Sequence, residues 1–368
     1  MVAAETERRK AEHIRICLDK NSQAKRAKTG FEDVRFVHRA LPEVEKPKLD
    51  LSTVVFGHRF SAPIIVGALT GGTAEATKIN AAIAEAVENL HLGMGVGSQR
   101  AAIEDGKLET TFSVARKKAP TAFLIANLGG VQLVHGYGLK EVRKAVEMID
   151  ADAVAIHLNG LQEAVQPEGQ TNFEGVLAEI GDISRDIDVP VIVKETGCGI
   201  AAEEAVKLEA SGVKGIDVGG LGGTSFAAVE HYRAKSTGDS VQDSLGEVFW
   251  DWGIPTVASI IETAQKVKIP VIASGGVRDG VDVAKALALN ARLASVSQPI
   301  LQSAVRGVKE TENLLKLFIE ELRVAMFLVG AQNVSNLAQA SLVVSGKTRR
   351  WLKSRGFDVD VYARRGVV

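Results

Sequence analysis

Eight short segments rich in β-branched residues recur along the chain from about residue 61, and longer stretches with helical spacing separate them. The segments cover residues 63–66, 92–96, 122–126, 153–156, 191–193, 215–218, 271–273 and 293–296. Alternation of strands and helices predicts a parallel sheet with helical crossovers, and continuous apolar runs are typical of strands buried on both faces. Because eight such strands suggest closure, we predict an α/β fold of the (β/α)8 TIM-barrel type.

The stretches between the strands have the spacing of amphipathic helices. Residues 74–90 place apolar side chains three and four positions apart, and the same spacing recurs in 141–149 and 281–289. This spacing predicts one apolar stripe on each helix, facing the strands. The interval 219–270 is longer than one crossover helix needs, so we expect an additional excursion there, of the kind that often forms a lid.

The two ends of the chain lie outside the eight-strand pattern. Residues 1–60 are polar and poor in strand signals, and we predict an N-terminal extension that contributes to the mouth of the barrel. The barrel itself is expected over residues 61–310. Residues 311–368 are expected to add C-terminal helices and a tail to the same domain, because apolar residues from Phe318 to Val329 follow helical spacing.

Composition narrows the possible partners and the compartment. The formal net charge is -1, so the chain has no overall basic field, and we expect neither nucleic acid nor a membrane as a main partner. Cys17 and Cys198 are far apart, which makes a disulfide framework implausible. Residues 1–13 are charged rather than apolar, unlike a secretory signal, and no apolar run approaches the ~20 residues that span a bilayer. These features predict a cytoplasmic protein.

Polar residues and glycines follow all eight predicted strands. In a (β/α)8 barrel the residues just past the strands converge on one mouth, so polar groups there are candidates for function. They are Thr70, Gly71 and Gly72; Ser98, Gln99 and Arg100; Asn127; His157, Asn159, Gln162 and Glu163; Lys194, Glu195 and Thr196; Gly222, Gly223 and Thr224; Ser274, Gly275, Gly276 and Arg278; and Ser297 and Gln298.

The end of the seventh strand has the pattern of a phosphate site. Gly275 and Gly276 lie between the strand and a predicted helix start, where backbone N–H groups can hold a phosphate. The same pattern could be a plain tight turn. Ser297 and Gln298, which follow the eighth strand, occupy the other half of the usual barrel phosphate site and favour phosphate binding.

Lys194 ends an otherwise apolar strand, where a buried ammonium group is costly unless an anion is near. One interpretation is a salt bridge to Glu195 or a neighbour. The other places Lys194 beside the N1/O2 edge of a flavin, where it would stabilise an anionic reduced ring.

Four polar residues cluster after the fourth strand: His157, Asn159, Gln162 and Glu163. Burying all four would be expensive without a ligand. A single carboxylate suits Mg²⁺, which keeps several waters and shares substrate phosphates, although Glu163 could also be a solvated surface residue.

Basic residues near the amino terminus and after the second strand are candidates for anion binding. The first group, Arg8 to Lys10 with His13, could equally be a solvated charge run. Arg100 is a stronger candidate ligand for a diphosphate, because a guanidinium at the mouth can bind two oxygens at once.

Ten short strings resemble, in order, those of the type 2 isopentenyl-diphosphate delta-isomerases of archaeal type. They are Arg9-Lys10-x-x-His13, Leu69-Thr70-Gly71-Gly72, Met94-Gly95-Val96-Gly97-Ser98-Gln99-Arg100, Ala126-Asn127-Leu128-Gly129, His157-Leu158-Asn159-x-x-Gln162-Glu163, Gln166-Pro167-Glu168-Gly169, Val193-Lys194-Glu195, Gly222-Gly223-Thr224-Ser225, Trp252-Gly253-Ile254-Pro255-Thr256 and Ser274-Gly275-Gly276-Val277-Arg278. The third and fifth strings are the most specific.

The resemblance implies reversible isomerisation of isopentenyl diphosphate to dimethylallyl diphosphate in isoprenoid biosynthesis. It further implies reduced FMN as acid/base cofactor, Mg²⁺ on the diphosphate, NADPH or NADH as the reductant that primes the flavin, and no net redox change. A homo-oligomer, either a tetramer or an octamer, is also implied. We hypothesise that Gln162 orients the reacting carbons and that Lys194 balances the charge of the ring.

The resemblance also implies a role for each matching residue. FMN would be bound by Ala68, Leu69, Thr70, Gly71, Ser98, Asn127, Lys194, Thr224, Gly275, Gly276, Arg278, Ser297 and Gln298. Substrate would be bound by Arg9, Lys10, His13, Ser98, Gln99, Arg100, His157, Asn159 and Gln162. The catalytic residues would be Gln162, His157, Lys194 and His13, and Glu163 would bind the metal.

Two other functions fit parts of the sequence. Another FMN barrel, such as a 2-hydroxyacid oxidase, shares the strand-end lysine and the glycine-rich phosphate loop, whereas a nucleotide dehydrogenase would need a cysteine within 219–226, which has none. A non-catalytic scaffold barrel would be colourless, and it would leave the polar strand ends unexplained.

Overall fold

The computed structural model describes residues 2–366, with side chains over 8–366. Met1, Val367 and Val368, at the ends of the predicted extension and tail, lie outside the described residues. The strands of the described residues are β1 (Val34–Phe36), β2 (Thr53–Val55), β3 (His58–Phe60), β4 (Ile64–Val66), β5 (Gly93–Gly95), β6 (Phe123–Gly129), β7 (Ala153–Leu158), β8 (Val191–Glu195), β9 (Gly215–Asp217), β10 (Val271–Ala273), β11 (Leu293–Val296) and β12 (Leu342–Val344).

Strands β4 to β11 form a closed parallel barrel, whose order follows the order along the chain. These are the eight strands that the sequence predicts, and the (β/α)8 barrel is confirmed. All residues of β4, β5 and β6 are buried, as continuous apolar runs require. Across the neighbouring strands β7, β8 and β9, His157 is in register with Lys194, and Lys194 with Asp217. Three polar residues therefore lie side by side near the C-terminal end of the barrel.

The helices of the described residues surround the barrel and extend both ends of the chain. They are α1 (Val2–Asp19), α2 (Ala74–Asn89), α3 (Arg100–Glu104), α4 (Thr110–Lys118), α5 (Gly130–Leu133), α6 (Leu139–Met148), α7 (Gly160–Val165), α8 (Val176–Asp186), α9 (Ala202–Ala210), α10 (Phe226–Thr237), α11 (Ser240–Val248), α12 (Thr256–Ala264), α13 (Gly280–Ala288), α14 (Gln298–Arg306), α15 (Val308–Leu328), α16 (Val334–Leu337), α17 (Gly346–Ser354) and α18 (Asp360–Ala363). Short 3-10 helices cover Phe31–Asp33, Lys46–Lys48 and Gly106–Leu108.

The predicted helices form where the apolar spacing places them. Helix α2 begins after Thr73, whose Oγ1 accepts a hydrogen bond from Ala76 N at 3.0 Å, and it buries Ile79, Ile83 and Val87 against the strands. Helix α6 covers all but the last residue of the predicted segment 141–149, and α13 covers all but the last residue of 281–289. The long interval between β9 and β10 contains α10 and α11 in addition to α12, so the predicted excursion is confirmed.

A hairpin of the N-terminal segment closes one end of the barrel. Strands β2 and β3 pair antiparallel, and the rings of Phe56 and Phe60 pack against Phe123 of β6 with centroid distances of 5.9 and 5.4 Å. Phe60 and Phe123 belong to an apolar cluster that also includes Ile65 and Ile192 of the barrel strands. Because this end is filled by apolar side chains, polar chemistry is confined to the opposite mouth.

The two ends of the chain meet beside the barrel. Strand β1 pairs antiparallel with β12, with Val34 opposite Val344. Helix α15 buries Phe318, Leu322 and Met326, as their spacing predicts. Among residues 2–366, no helix combines the length and the apolar character needed to cross a membrane.

Candidate active site

A cavity opens at the C-terminal mouth of the barrel, and it brings together all the residues predicted to bind substrate, FMN or metal or to act in catalysis, except Gln99. Residues of α1 line it together with residues that follow each barrel strand. The predicted residues that line it are Arg9, Lys10, His13, Ala68, Leu69, Thr70, Gly71, Ser98, Arg100, Asn127, His157, Asn159, Gln162, Glu163, Lys194, Thr224, Gly275, Gly276, Arg278, Ser297 and Gln298.

Gln99 was predicted to contact substrate, but its side chain is fully buried behind the cavity wall. Its Nε2 donates to Ala145 O at 2.7 Å, and its Oε1 accepts from Asn127 N at 2.8 Å. Ser98 lines the cavity, whereas Gln99 lies directly before α3 and ties β6 to α6. The Gln99 side chain therefore does not face the cavity, and its role at the substrate stays a prediction.

Helix α1 carries three basic side chains to the mouth. Lys10 Nζ donates to Ser98 O at 2.5 Å and lies 5.0 Å from the ring centroid of Phe112. Burial, with the nearby positive charges of Arg9 and Arg100, lowers the pKa of Lys10 to about 7, although Glu104 opposes the shift. Near pH 7 a lysine with this pKa is only partly protonated. Binding of an anion at the site would favour the protonated form of Lys10, so the site is suited to an anion.

Arg100 reaches the same side of the cavity from the second strand end. Its Nε donates to Glu104 Oε1 at 2.7 Å, and its Nη1 lies 3.4 Å from Gln170 Oε1. Gln132 Nε2 donates to that same Gln170 oxygen at 3.2 Å. Arg100 is therefore held in place by groups that leave part of its guanidinium facing the cavity.

His13 lies on α1 and contacts a carboxylate that sequence reasoning missed. His13 Nε2 lies 2.9 Å from Glu230 Oε1, and the Glu230 side chain has no exposed surface. The imidazole also packs edge-on against Phe226, with 5.9 Å between ring centroids. Glu230 lies within the excursion helix α10, where no strand end marks it, so no local pattern in the sequence indicates its role.

The hydrogen bonds around His157 define its tautomer. Asn127 Nδ2 donates to Val96 O at 3.1 Å, which leaves Asn127 Oδ1 facing His157 Nδ1 at 2.9 Å. Nδ1 therefore carries the proton, and Nε2 is an acceptor. Burial and the positive charges of Lys194 and Lys10 lower the pKa of His157 to about 3, so the ring is neutral near pH 7.

Glu163 is buried, and amide donors surround it. Its Oε1 accepts from Asn159 Nδ2 at 2.9 Å, and its Oε2 accepts from Gln166 Nε2 at 3.0 Å and from Gln170 N at 2.7 Å. Asn159 Oδ1 is also buried, and no described residue satisfies it. Within residues 8–366, whose side chains the structure describes, no three His, Cys, Asp or Glu side chains gather as a cage for a metal ion. One carboxylate beside a free amide oxygen fits Mg²⁺, which keeps several waters.

Lys194 faces the floor of the cavity between two polar neighbours. Its Nζ donates to Glu195 O at 2.8 Å, whereas the Glu195 carboxylate accepts from backbone N–H groups, including Thr196 N at 2.6 Å. The salt bridge to Glu195 that the sequence left open is therefore not formed. Asp217, which was not among the predicted site residues, lies on the other side of Lys194. Its carboxylate accepts a hydrogen bond from Ser274 Oγ. Burial raises the pKa of Asp217, against the opposing charge of Lys194.

The residues that follow β10 and β11 form a backbone surface that we call the cradle. It consists of Gly275, Gly276 and the start of α14. Gly275 and Gly276 have φ values of 100° and 75°, and a Cβ on Gly275 would lie 2.1 Å from Gly220 O. Helix α14 begins at Gln298, and the Ser297 side chain makes no capping bond. The backbone N–H groups of Gln298 and Ile300 can therefore bind an anion, whereas Pro299 has no N–H to offer. These features, with the buried and unpartnered hydroxyl of Ser295 on the cavity wall, fit FMN with its phosphate at this end.

Comparison with known proteins agrees with this geometry. Residues 3–112 and 133–344 match the model of the FMN-dependent dehydrogenase family. The chain is 49% identical over 361 residues to the isopentenyl-diphosphate delta-isomerase of Methanosarcina barkeri, with 98% of each chain covered. It is 48% identical over 368 residues to the protein of the same name from Thermococcus kodakarensis, covering 98% of this chain and 97% of the relative.

Solved structures share the fold at lower identity. A mandelate oxidase variant superimposes with a TM-score of 0.64 at 19% identity, covering 92% of this chain and 99% of the oxidase. A lactate oxidase of Pediococcus acidilactici gives a TM-score of 0.60 at 17% identity, covering 94% of each chain. At such identities the likeness concerns the fold alone.

Proposed function

Because the chain belongs to the isopentenyl-diphosphate delta-isomerase family and to the wider FMN-dependent family, and is thus an isomerase, we propose how it works. It interconverts isopentenyl and dimethylallyl diphosphate, with reduced FMN as acid/base cofactor, Mg²⁺ on the diphosphate and no net redox change. The single observation that carries this proposal is one cavity with two groups of lining residues that are suited to bind anions. Basic residues of α1 with Arg100 and Glu163 form one side, and the glycine cradle after β10 forms the other.

The basic side of the cavity would hold the diphosphate. Arg9, Lys10 and Arg100 supply positive charge, and a guanidinium can bind two phosphate oxygens at once. A diphosphate bound there also favours the protonated form of Lys10, whose pKa in the free site is about 7. When the diphosphate group is bound, the alkene at the other end of the substrate would face the interior of the barrel. Binding of the diphosphate would therefore position the alkene for the reaction.

Mg²⁺ would bind at Glu163, beside the diphosphate site. Gln166 and Gln170 fix the carboxylate, and the free Asn159 oxygen offers a second neutral ligand. The remaining positions would be filled by water and by phosphate oxygens, as Mg²⁺ prefers.

FMN would lie across the mouth with its phosphate at the cradle of Gly275, Gly276 and the start of α14. Bound reduced FMN supplies a proton donor and acceptor next to an unactivated alkene, which ordinary side chains protonate poorly. Lys194 would offset negative charge on the ring, and Thr70, Asn127 and Thr224 also line the cavity. NADPH or NADH would serve as the reductant.

Gln162, His157 and His13 are the proposed catalytic side chains near the alkene end. Asn159 Nδ2 donates to Gln162 Oε1 at 3.3 Å, and Gln162 Nε2 donates to Gln166 Oε1 at 3.3 Å, so the amide has a defined orientation. Such an amide can orient the reacting carbons without changing its own charge. Neutral His157 offers an acceptor at Nε2, and His13 is oriented by Glu230.

The test is an anaerobic incubation of purified protein with FMN, NADPH, Mg²⁺ and isopentenyl diphosphate, followed by product identification in D₂O and H₂O. We expect dimethylallyl diphosphate, deuterium incorporation in D₂O, and less than one NADPH consumed per turnover. Omitting the reductant or Mg²⁺ should stop turnover. A protein that yields no dimethylallyl diphosphate but consumes oxygen with a 2-hydroxy acid would be an oxidase, and the proposal would be wrong.

The assembly and compartment remain part of the proposal. We expect a homo-oligomer, either a tetramer or an octamer, in the cytoplasm, and light scattering coupled to size-exclusion chromatography measures the first. We also expect residues 1–60 and 311–368 to fold with the barrel as one domain, so that thermal unfolding shows a single transition.

A further inference from the structure

Arg233 lies outside the residues that line the cavity, yet it contacts three carboxylates on three segments around the mouth. Its Nε lies 3.0 Å from Glu12 Oε2 on α1, and its Nη2 lies 2.9 Å from Glu168 Oε1 in the segment after α7. Its Nη1 lies 2.5 Å from Glu230 Oε2 on its own helix α10. The Arg233 side chain is only 12% exposed, so these contacts are largely shielded from water.

Two of these carboxylates also hold residues proposed to bind substrate or to act in catalysis. Glu168 Oε1 lies 3.6 Å from Arg9 Nη1, and Glu230 Oε1 lies 2.9 Å from His13 Nε2. Each carboxylate therefore joins Arg233 to a different residue of α1. With the direct contact to Glu12, Arg233 is connected to α1 at three points along the helix.

The chemistry of arginine explains why one residue can do this. A planar guanidinium presents five N–H donors in a rigid fork, so it can serve three carboxylates at fixed angles, whereas a lysine offers a single point charge. The Glu230 side chain has no exposed surface, and a buried carboxylate is stable only when it is well paired. If Arg233 were removed, His13 would be the remaining basic side chain that contacts Glu230 among the described residues.

We propose that Arg233 is a positioning residue, which sets the angle of α1 across the mouth, directs Arg9 to the bound diphosphate through Glu168 and directs His13 to the reacting end of the substrate through Glu230. The inference rests on the proposed function, because it takes α1 as part of the substrate site. Arg233 itself touches neither substrate nor cofactor.

The arrangement predicts which property Arg233 controls. The cradle at Gly275 and Gly276 follows β10, and Arg233 makes no polar contact with it. Loss of Arg233 should therefore weaken the hold on the diphosphate while FMN binding stays intact. A residue that only supported the fold would instead lower FMN content and thermal stability, and leave the KM of the folded fraction unchanged.

The experiment compares Arg233→Met, which keeps an unbranched stem but removes the guanidinium, with Arg233→Lys and with the control Arg185→Met. Arg185 is exposed on α8 and pairs only with Asp182. For Arg233→Met we expect a KM for isopentenyl diphosphate raised at least about 10-fold, a smaller change in kcat and an unchanged Kd for FMN. Arg233→Lys should recover part of the loss, and Arg185→Met should match the wild type.

A second measurement is independent of turnover. Hydrogen exchange of backbone amides in α1 is followed in the FMN-loaded protein, with and without inorganic pyrophosphate. In the wild type, pyrophosphate should slow exchange in α1, and in Arg233→Met exchange should be fast and should respond less. This measurement tests the inference even if the wild type fails to isomerise the substrate, so the two failures are distinguishable.

Two results would overturn the inference. One is a wild-type KM in Arg233→Met together with wild-type exchange in α1. The other is a loss of FMN and stability without any change in KM. If Arg233→Met does not fold, Glu12→Gln decides, because it removes the negative charge that contacts Arg233 and Arg8 and leaves Glu168 and Glu230 paired with Arg233. Faster exchange in α1 and a higher KM in Glu12→Gln support the inference, and wild-type values for both exclude it.

Discussion

Lys10 Nζ donates to Ser98 O at 2.5 Å, which joins the N-terminal helix to the end of the second barrel strand. The contact links residues 88 positions apart in the sequence. It places an ammonium group among other positive charges at the proposed diphosphate site, and this has a consequence for proton uptake.

Binding of the diphosphate should take up a proton at alkaline pH. In the free site the pKa of Lys10 is about 7, because of burial and the charges of Arg9 and Arg100, so Lys10 is mostly neutral near pH 8. The bound anion favours the charged form, and affinity should therefore decline as pH rises above about 7. Titration calorimetry in two buffers of different ionisation enthalpy measures the uptake. Lys10→Met should abolish it, and the exposed-surface control Lys235→Met should not.

His157 should make the apoprotein sensitive to acid. Its pKa is about 3 when folded and near the ordinary value of 6.5 when unfolded, so the unfolded chain binds the proton first as pH falls. The contribution of the neutral His157 ring to the free energy of unfolding is complete above about pH 6.5. It is lost as the pH falls towards 3, at about 1 kcal/mol per pH unit. Urea unfolding at several pH values tests this. His157→Gln should show a shallower decline between about pH 6.5 and 5, and an equal slope would contradict the assignment.

Glu163→Gln should weaken Mg²⁺ binding. The change removes the only carboxylate at the proposed metal site while keeping its size, so we expect the Mg²⁺ concentration for half-maximal activity to rise more than about 10-fold. Activity is measured against Mg²⁺ after treatment with a chelator. The exposed residue Glu174 provides the control, and Glu174→Gln should keep the wild-type requirement. FMN content should be the same in both variants.

Gly275→Ala should lose FMN, whereas Gly136→Ala should not. Both glycines have nearly the same φ, 100° and 98°, so both substitutions carry a similar backbone cost of about 1 kcal/mol. At Gly275 the new Cβ would lie 2.1 Å from Gly220 O, whereas nothing lies within 4 Å at Gly136. The loop after β10 must therefore shift only in Gly275→Ala. Fluorescence titration should show at least about a 10-fold weaker Kd for FMN in that variant.

The predictable part of the site follows from local patterns. The apolar runs define the strands, and in a parallel barrel the residue after a strand must reach the mouth, so Asn127, Lys194 and Gly276 could be assigned without coordinates. The direction of the Gln99 side chain could not be predicted in this way, because Gln99 lies in the loop before α3 and its packing against α6 decides where the amide points.

The sequence by itself determined the barrel and its polar strand ends, because both depend on short periodic patterns that each segment carries on its own. Only the tertiary structure decided that α1 crosses the mouth, and that Glu230 and Arg233 hold it there. A run such as Arg8 to Lys10 is identical in sequence whether water or a diphosphate faces it. Its role depends on contacts between segments that are more than 200 positions apart in the sequence. These contacts exist only in the folded protein, and no local sequence pattern predicts them.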